Sequence, residues 1–245
     1  MHRCFGYQAA EVRPYLVRGP DCERKMATGR GACPSPVRAQ LQLAGGSGTF
    51  APMTTLVRYL THPQVHIDPG VPVPSWGLSA VGRARVAGLI QAGWLSGTTR
   101  VVSSAEQKAL ETAQPIAIAL NVALEVRAEM HENDRSATGF LPPAVFEQIA
   151  SEFFAHPHKS IRGWERALDA QRRIVREAEA VMASSEAGDV LLVGHGAVGT
   201  LLFCHYAKIA ISRAHDQPAG GGHYFTLTRS DRKVLHSWRR IEDGP

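Results

Sequence analysis

The chain has 245 residues, 44% hydrophobic and 20% charged, which is the composition of an ordinary globular protein. Residues 1–52 hold seven Lys or Arg and three acids, so they carry +4 of the net +5 and leave the rest close to neutral. Because the rest of the chain is close to neutral, its charge gives no reason to expect a nucleic-acid partner. We expect no membrane association, since no run of about 18 apolar residues occurs. The cysteine spacing favours neither a disulfide framework nor a zinc site.

Residues 1–52 are rich in Gly, Pro, Arg and Ser and lack a sustained helical or strand period. We therefore expect a disordered extension, followed by one domain over residues 53–245. Because a strand pattern begins at Met53, this residue is a candidate for the true start of the protein. An Arg-rich transit peptide is the weaker alternative, since acids and prolines interrupt the segment. Without an apolar signal core near residue 1, a cytoplasmic location is expected.

From Met53 onwards, predicted strands and helices alternate. In chain order they are a strand at 54–61, a helix at 80–91, a strand at 99–103, a helix at 106–120, a strand at 123–126, a helix from 142 or 143 to 154, a helix at 160–183, a strand at 189–193, a helix at 197–208, and strands at 222–228 and 234–238. Ser79 and Ser160 are the predicted N-caps of the first and fourth helices. This alternation predicts an α/β fold of three α/β/α layers, with a mostly parallel sheet covered on both faces.

Two of the predicted buried strands are followed by histidines. His62 closes the run "TTLVRYLTH", and His195 follows "DVLLVG". In a parallel sheet, ligands bind outside the carboxyl ends of the strands, so the two rings are expected to lie close together. His66 has no such placement and is interpreted as structural.

Charged residues cluster in two segments between these histidines. In "SSAEQKALETA", Lys108 lies in the first turns of a helix whose free N–H groups favour an anion. The loop "EMHENDRSATG" contains Glu129, Glu132 and Arg135. A carboxyl group there can protonate a leaving oxygen, and an arginine can pair with phosphate oxygens. Taken singly, a charged residue in such a loop or helix is more often exposed to solvent than part of a functional site.

Two loops are expected to border the same site. The Pro-rich segment "HIDPGVPVPSWGLS" is expected to form one wall, with Trp76 packed beneath it. Gly220–Gly222, directly before a predicted strand, indicate a close approach of the backbone to a neighbour.

In this order, the segments resemble those of the histidine phosphatase superfamily, the phosphoglycerate mutase-like fold. "THPQV" stands where that family has strand-Arg-His-Gly, and "GLSAVGRARVAGL" is similar to its Leu-Thr-x-x-Gly-x-x-Gln-Ala helix. "SSAEQKALETA" is similar to its Ser-Ser-x-x-x-Arg-Ala-x-x-Thr-Ala segment, and "LLVGHGAVG" to its strand followed by Gly-His. The resemblance extends over about residues 53–240.

The resemblance implies a phosphatase that acts through a phosphohistidine and needs no metal or cofactor. His62 would be the nucleophile and His195 the second histidine. Glu132 would be the general acid, with Glu129 as the nearest rival. The implied partner is a small phosphorylated molecule, not a nucleic acid or a membrane, and a homodimer is left open.

The sequence departs from the family pattern at the phosphate-binding positions. Thr61 and Lys108 stand where the family has arginines, and both are expected to contact substrate. Lysine keeps the charge but lacks the bidentate fork of arginine. Arg135 is expected to compensate.

Two alternatives stay open at this point. Arg58-Tyr59 can also be aligned with the family's Arg-His, which would remove the nucleophile. We prefer His62 because it falls at the end of the apolar run, whereas Tyr59 falls inside it. The second function is a catalytically degenerate member that binds a phosphorylated ligand or protein without turnover.

Overall fold

Six strands form one mixed sheet in the computed structural model, which describes residues 54–184 and 186–245. The strands are β1 (Leu56–Thr61), β2 (Thr98–Ser104), β3 (Leu124–Arg127), β4 (Asp189–Gly194), β5 (His223–Thr228) and β6 (Val234–Arg240). Their order across the sheet is β3-β2-β4-β1-β5-β6. The first four strands pair in parallel, and β5 and β6 are antiparallel. The expectations for residues 1–52 and for a start at Met53 lie outside the described residues.

Helices cover both faces of this sheet. They are α1 (Ala80–Ala92), α2 (Gln107–Leu120), α3 (Pro143–Ala155), α4 (Ala167–Met182) and α5 (Gly196–Ala207). Alternate strand residues enter different cores: Tyr59 packs in the cluster that contains α3, α4 and α5, and Leu60 in the cluster that contains α1 and α2. The predicted three-layer α/β/α fold with a mostly parallel sheet is therefore confirmed. Within the described residues, no helix is long and apolar enough to span a membrane.

Local sequence signals determine where the first helix begins and ends. The Ser79 hydroxyl accepts a hydrogen bond from the Gly82 N–H at 3.1 Å, as expected of an N-cap. Gly93 ends the helix with a φ of 69°, a left-handed conformation that glycine adopts without a steric penalty. Both ends of α1 lie within one residue of the prediction.

The predicted start of the fourth helix at Ser160 is wrong. Arg162 and Gly163 have φ values of 53° and 82°, which are incompatible with a right-handed helix. The Ser160 hydroxyl instead donates a hydrogen bond to the Trp164 carbonyl at 2.6 Å. The helix begins only at Ala167, with Arg166 as its N-cap.

The register of β1 against β4 brings the two histidine positions together. Thr61 pairs with Gly194, and the next amide, that of His62, donates a hydrogen bond to the Gly194 carbonyl at 3.0 Å. Arg58 forms an ion pair with Asp189, the first residue of β4, and therefore lies toward the opposite edge of the sheet.

Tyr59 fastens β1 to the start of α5. Its buried hydroxyl donates to the His195 carbonyl at 3.1 Å and accepts from the His195 amide at 3.0 Å. Both bonds are to the backbone that carries the second histidine. The tyrosine that the alternative alignment places at the nucleophile position is thus a buried structural residue.

We expect Tyr59→Phe to lower the free energy of unfolding by about 2 kcal/mol, because it leaves the buried amide of His195 without a partner, whereas the His195 carbonyl keeps its bond from the Gly199 amide. Chemical denaturation measures this loss. Tyr224→Phe is the matched control, since the Tyr224 hydroxyl makes one bond, to the partly exposed Gly244 carbonyl. Equal losses in the two variants would contradict a special role for Tyr59.

Candidate active site

A cavity of about 740 Å³ opens at the carboxyl ends of β1 and β4. Four of the residues predicted for the site line it: His62, Lys108, Glu132 and Arg135. The ring of His195 lies beneath it, 5.3 Å from the His62 ring between centroids. The structure therefore brings together both predicted histidines, two cations and one carboxylate.

His62 is held in one tautomer. Its Nδ1 lies 2.8 Å from the Pro63 carbonyl, which can only accept, so Nδ1 carries the hydrogen and Nε2 keeps its lone pair. Burial, with the nearby charge of Lys108 and against the hydrogen bond to Pro63, lowers the pKa of His62 to about 4. The imidazole is consequently neutral near pH 7, the form in which a histidine can act as a nucleophile.

His195 is completely buried, with 0% exposure. Its Nε2 lies 2.8 Å from the Ser104 hydroxyl and 3.6 Å from Oε1 of Glu106. Burial lowers the pKa of His195 well below its ordinary value, more than the neighbouring Glu106 raises it. Its Nδ1 has no hydrogen-bond partner within the described residues.

Lys108 forms a buried ion pair with a residue that sequence reasoning missed. Its ammonium donates to the Val73 carbonyl at 3.0 Å and to the carboxylate of Glu106. Burial alone would raise the pKa of Glu106, but His195 and Lys108 lower it to about 2. The sequence does contain a signal, because Glu106 stands two positions before Lys108 in the same motif. In the sequence, however, this acid indicates only the start of a helix.

Glu132 lines the cavity and caps α5. Its carboxylate oxygens accept hydrogen bonds from the Ala197 amide at 3.2 Å and from the Val198 amide at 3.1 Å. Glu129, the rival for general acid, is exposed and its carboxylate faces Arg176 at 3.7 Å. Of the two, Glu132 is the carboxylate that lines the cavity with His62.

Arg135 presents its guanidinium to the cavity. The group lies over the Phe146 ring at 5.0 Å and near the Trp164 ring at 5.7 Å. Among the described residues, no carboxylate or carbonyl accepts a hydrogen bond from it. It is a cation held in place by aromatic packing, with its donors available to a ligand.

Thr61 does not line the cavity, so its side chain is not in a position to contact a substrate there. It is still a residue of β1 and is 0% exposed. Its hydroxyl donates to the Gln217 side chain at 2.6 Å and accepts from the His223 amide at 3.0 Å. The expectation that Thr61 contacts substrate is therefore corrected, and Gln217, which does line the cavity, is the residue that it orients.

The two predicted loops form walls of the cavity. The Pro-rich loop contributes Ile67, Val73 and Trp76. The other wall is the Gly220–Gly222 turn, in which all three glycines have positive φ and the Gly222 amide bonds the His62 carbonyl at 3.0 Å. A Cβ on Gly221 would lie 2.3 Å from that carbonyl oxygen, so the close approach requires glycine.

Arg85 braces the glycine turn. Its guanidinium donates to the carbonyls of all three glycines and forms an ion pair with Glu242. The turn that supports His62 is thus tied to the last residues of the chain.

No group of three or more His, Cys, Asp or Glu side chains within residues 54–184 and 186–245 is arranged to hold a metal ion.

The depressed pKa of His62 predicts a pH dependence of stability. The unfolded chain binds a proton near pH 6.5 that the folded state accepts only near pH 4, so acidification between these values favours unfolding. His62 should contribute a loss of about 1.4 kcal/mol per pH unit there. Urea unfolding of wild type and His62→Asn at pH 7 to 4.5 tests this. The free energy of unfolding of the variant should depend less steeply on pH, by the contribution of about one bound proton. Identical slopes would refute the prediction.

Several solved structures share this fold. A mycobacterial glucosyl-3-phosphoglycerate phosphatase is 18% identical, with 76% of this chain and 96% of that chain covered and a TM-score of 0.62. YhfR of Bacillus stearothermophilus is 17% identical, with 75% and 95% covered and a TM-score of 0.62. A phosphoserine phosphatase of Entamoeba histolytica, solved with 3-phosphoglyceric acid, is 14% identical, with 77% and 99% covered and a TM-score of 0.62. A comparison with curated proteins gave no significant match.

A family model identifies the relationship at the sequence level. The model of the histidine phosphatase superfamily (branch 1) matches residues 71–239, well over half of the chain. The match includes Lys108, Glu132 and His195 and begins after His62, whose assignment therefore depends on geometry. The match supports phosphatase activity. By this evidence, the chain belongs to the histidine phosphatase superfamily.

Proposed function

We propose that the protein is a phosphomonoester hydrolase that acts through a phosphohistidine at His62. The observation that carries the proposal is the pairing of a cavity-lining imidazole in a fixed tautomer with a second imidazole 5.3 Å away. A neutral ring with a free Nε2 lone pair is a competent nucleophile near pH 7.

In the first step, the His62 Nε2 lone pair forms a bond to phosphorus while the bond from phosphorus to the leaving oxygen breaks. Glu132 gives its proton to that oxygen, and the alcohol departs. Arg135 and Lys108 neutralise the phosphoryl oxygens.

In the second step, water attacks the phosphohistidine. The Glu132 carboxylate takes a proton from the water, the P–N bond breaks, and its electron pair returns to His62. Inorganic phosphate leaves, and the enzyme regains its starting protonation. Each transfer uses a side chain at the cavity, so we expect turnover without a metal.

The substrate is proposed to be a small phosphorylated molecule. A cavity of about 740 Å³ is of the size that holds small ligands. Two of the similar structures are named for phosphatases of glucosyl-3-phosphoglycerate and of phosphoserine, which supports the same class. The Ile67 and Trp76 wall would contact the part of the substrate beyond the phosphate.

One observation favours a second candidate, a member that binds a phosphorylated ligand without turnover. Lys108 is already paired with Glu106, and Thr61 supplies no charge to the cavity. Among the described residues that are predicted to bind phosphate, Arg135 is thus the one cation without a carboxylate partner, whereas the family pattern implies two arginines.

We expect His62→Ala to lower the turnover of 4-nitrophenyl phosphate by at least about a thousandfold, because the covalent intermediate cannot form. His66→Ala is the matched control: His66 is exposed, does not line the cavity, and its loss should leave the rate unchanged. Acid-labile phosphate on the wild-type protein after quenching would identify the intermediate. Full activity in His62→Ala would exclude the mechanism, and phosphate binding without turnover in wild type would favour the binding member.

We expect Arg135→Ala to weaken inorganic phosphate as a competitive inhibitor by about tenfold or more, since it removes the unpaired cation. Arg135→Lys should recover part of the affinity, because it restores the charge but not the fork. Arg172→Ala, on the exposed face of α4, controls for net charge. Unchanged inhibition in Arg135→Ala would rule out its compensating role.

A further inference from the structure

The carboxylate of Glu106 accepts a hydrogen bond from the ammonium of Lys108, a cation that lines the cavity. We propose that Glu106 is an internal competitor of the phosphoryl group, and that it sets how tightly the site holds phosphate. This inference rests on the proposed function, since it assumes that phosphate binds at the cavity beside His62. It concerns a residue to which the histidine phosphatase resemblance assigns no role.

The partners of Glu106 are those that a phosphoryl group would use. Its Oε2 accepts from the ammonium of Lys108, and its Oε1 accepts from the Glu132 amide at 2.8 Å. Oε1 also lies 3.6 Å from Nε2 of His195. A cation, a backbone N–H and an imidazole around one carboxylate make up an oxyanion-binding arrangement that is already filled.

The charges around Lys108 indicate that Glu106 competes with a phosphate ligand and does not assist its binding. Glu106 and Lys108 are both buried, and their opposite charges cancel. The low pKa of the Glu106 carboxyl keeps it ionised throughout the neutral range. An arriving phosphate dianion therefore meets a fixed negative charge in surroundings where water screens weakly. Lys108 can offer such a ligand one remaining donor, because Val73 and Glu106 hold the other two.

The two cations that are predicted to bind phosphate, Arg135 and Lys108, are consequently unequal. Arg135 has free donors, whereas Lys108 is engaged with Glu106. Product phosphate would be held mainly by Arg135 and would leave readily. Glu106 acts through Lys108 and is thus a positioning residue.

The test is calorimetric titration of Glu106→Gln with inorganic phosphate. Glutamine keeps the size of the side chain and removes the charge, so we expect phosphate to bind at least about tenfold more tightly than in wild type. The matched control is Glu152→Gln, an exposed position on α3 that does not line the cavity and undergoes the same change of charge. It should bind phosphate as wild type does. Unchanged or weaker binding in Glu106→Gln would overturn the inference.

Removing Glu106 leaves a buried ammonium without its counter-ion, so the variant is expected to be less stable. A second measurement covers this case: sodium phosphate should raise the melting temperature of Glu106→Gln by more than it raises that of wild type and Glu152→Gln. Sodium chloride at equal ionic strength should not. Equal phosphate effects in the three proteins would count against the proposal.

The outcomes separate this inference from the proposed function. If wild type turns over an aryl phosphate in a His62-dependent way and Glu106→Gln binds phosphate no better, the inference fails and the phosphatase assignment stands. If neither protein binds phosphate or shows turnover, the proposed function fails, and the competition fails with it.

Discussion

The parallel pairing of β1 with β4 is the constraint on which the rest of the site depends. Thr61 lies opposite Gly194, so each strand delivers a histidine at the next residue. The Tyr59 hydroxyl then fixes the depth of His195 through two bonds to its backbone. A slip of one residue would send alternate side chains to the wrong face of the sheet and separate the rings. The positions of the two histidine rings and the packing of the core are therefore set by the same register.

Charge in the cavity is balanced within the protein before any ligand arrives. Both histidines are neutral near pH 7 because burial disfavours their charged forms. Lys108 is matched by Glu106, and the Glu132 carboxylate receives the amides at the start of α5. Arg135 alone of these groups has its charge held by aromatic rings rather than by a carboxylate. A phosphorylated substrate of the proposed kind would have to disturb this balance of charge in order to bind.

Much of this arrangement could be predicted from the sequence. Apolar runs that end in His62 and His195 locate both strand ends, because a buried strand and its boundary depend on local pattern. Ser160 misled the helix prediction because the turn after it depends on left-handed backbone at Arg162, which composition does not reveal. The substrate contact expected of Thr61 rests on the family position that it occupies, and the sequence does not reveal that its hydroxyl is bonded to Gln217 and to the His223 amide.

Glu106 could not be assigned from sequence on physical grounds. An acid at the N-terminus of a helix, such as Glu106 at the N-cap of α2, is ordinarily a favourable partner of the helix dipole, and nothing local distinguishes that role from pairing with Lys108. The distinction arises only when β4 brings His195 alongside. The contact of Glu106 with the Glu132 amide spans 26 residues, which no short motif encodes.

The contacts of Arg85 connect the loop beneath His62 to the C-terminal segment of the chain. The guanidinium joins helix α1, the glycine turn under His62, and Glu242 near the chain's last residue. The His62 carbonyl is therefore held, through one side chain, by a segment remote from it in sequence. Trimming or fusing the segment around Glu242 would loosen this contact and let the His62 ring shift, although no altered atom would touch the ring itself.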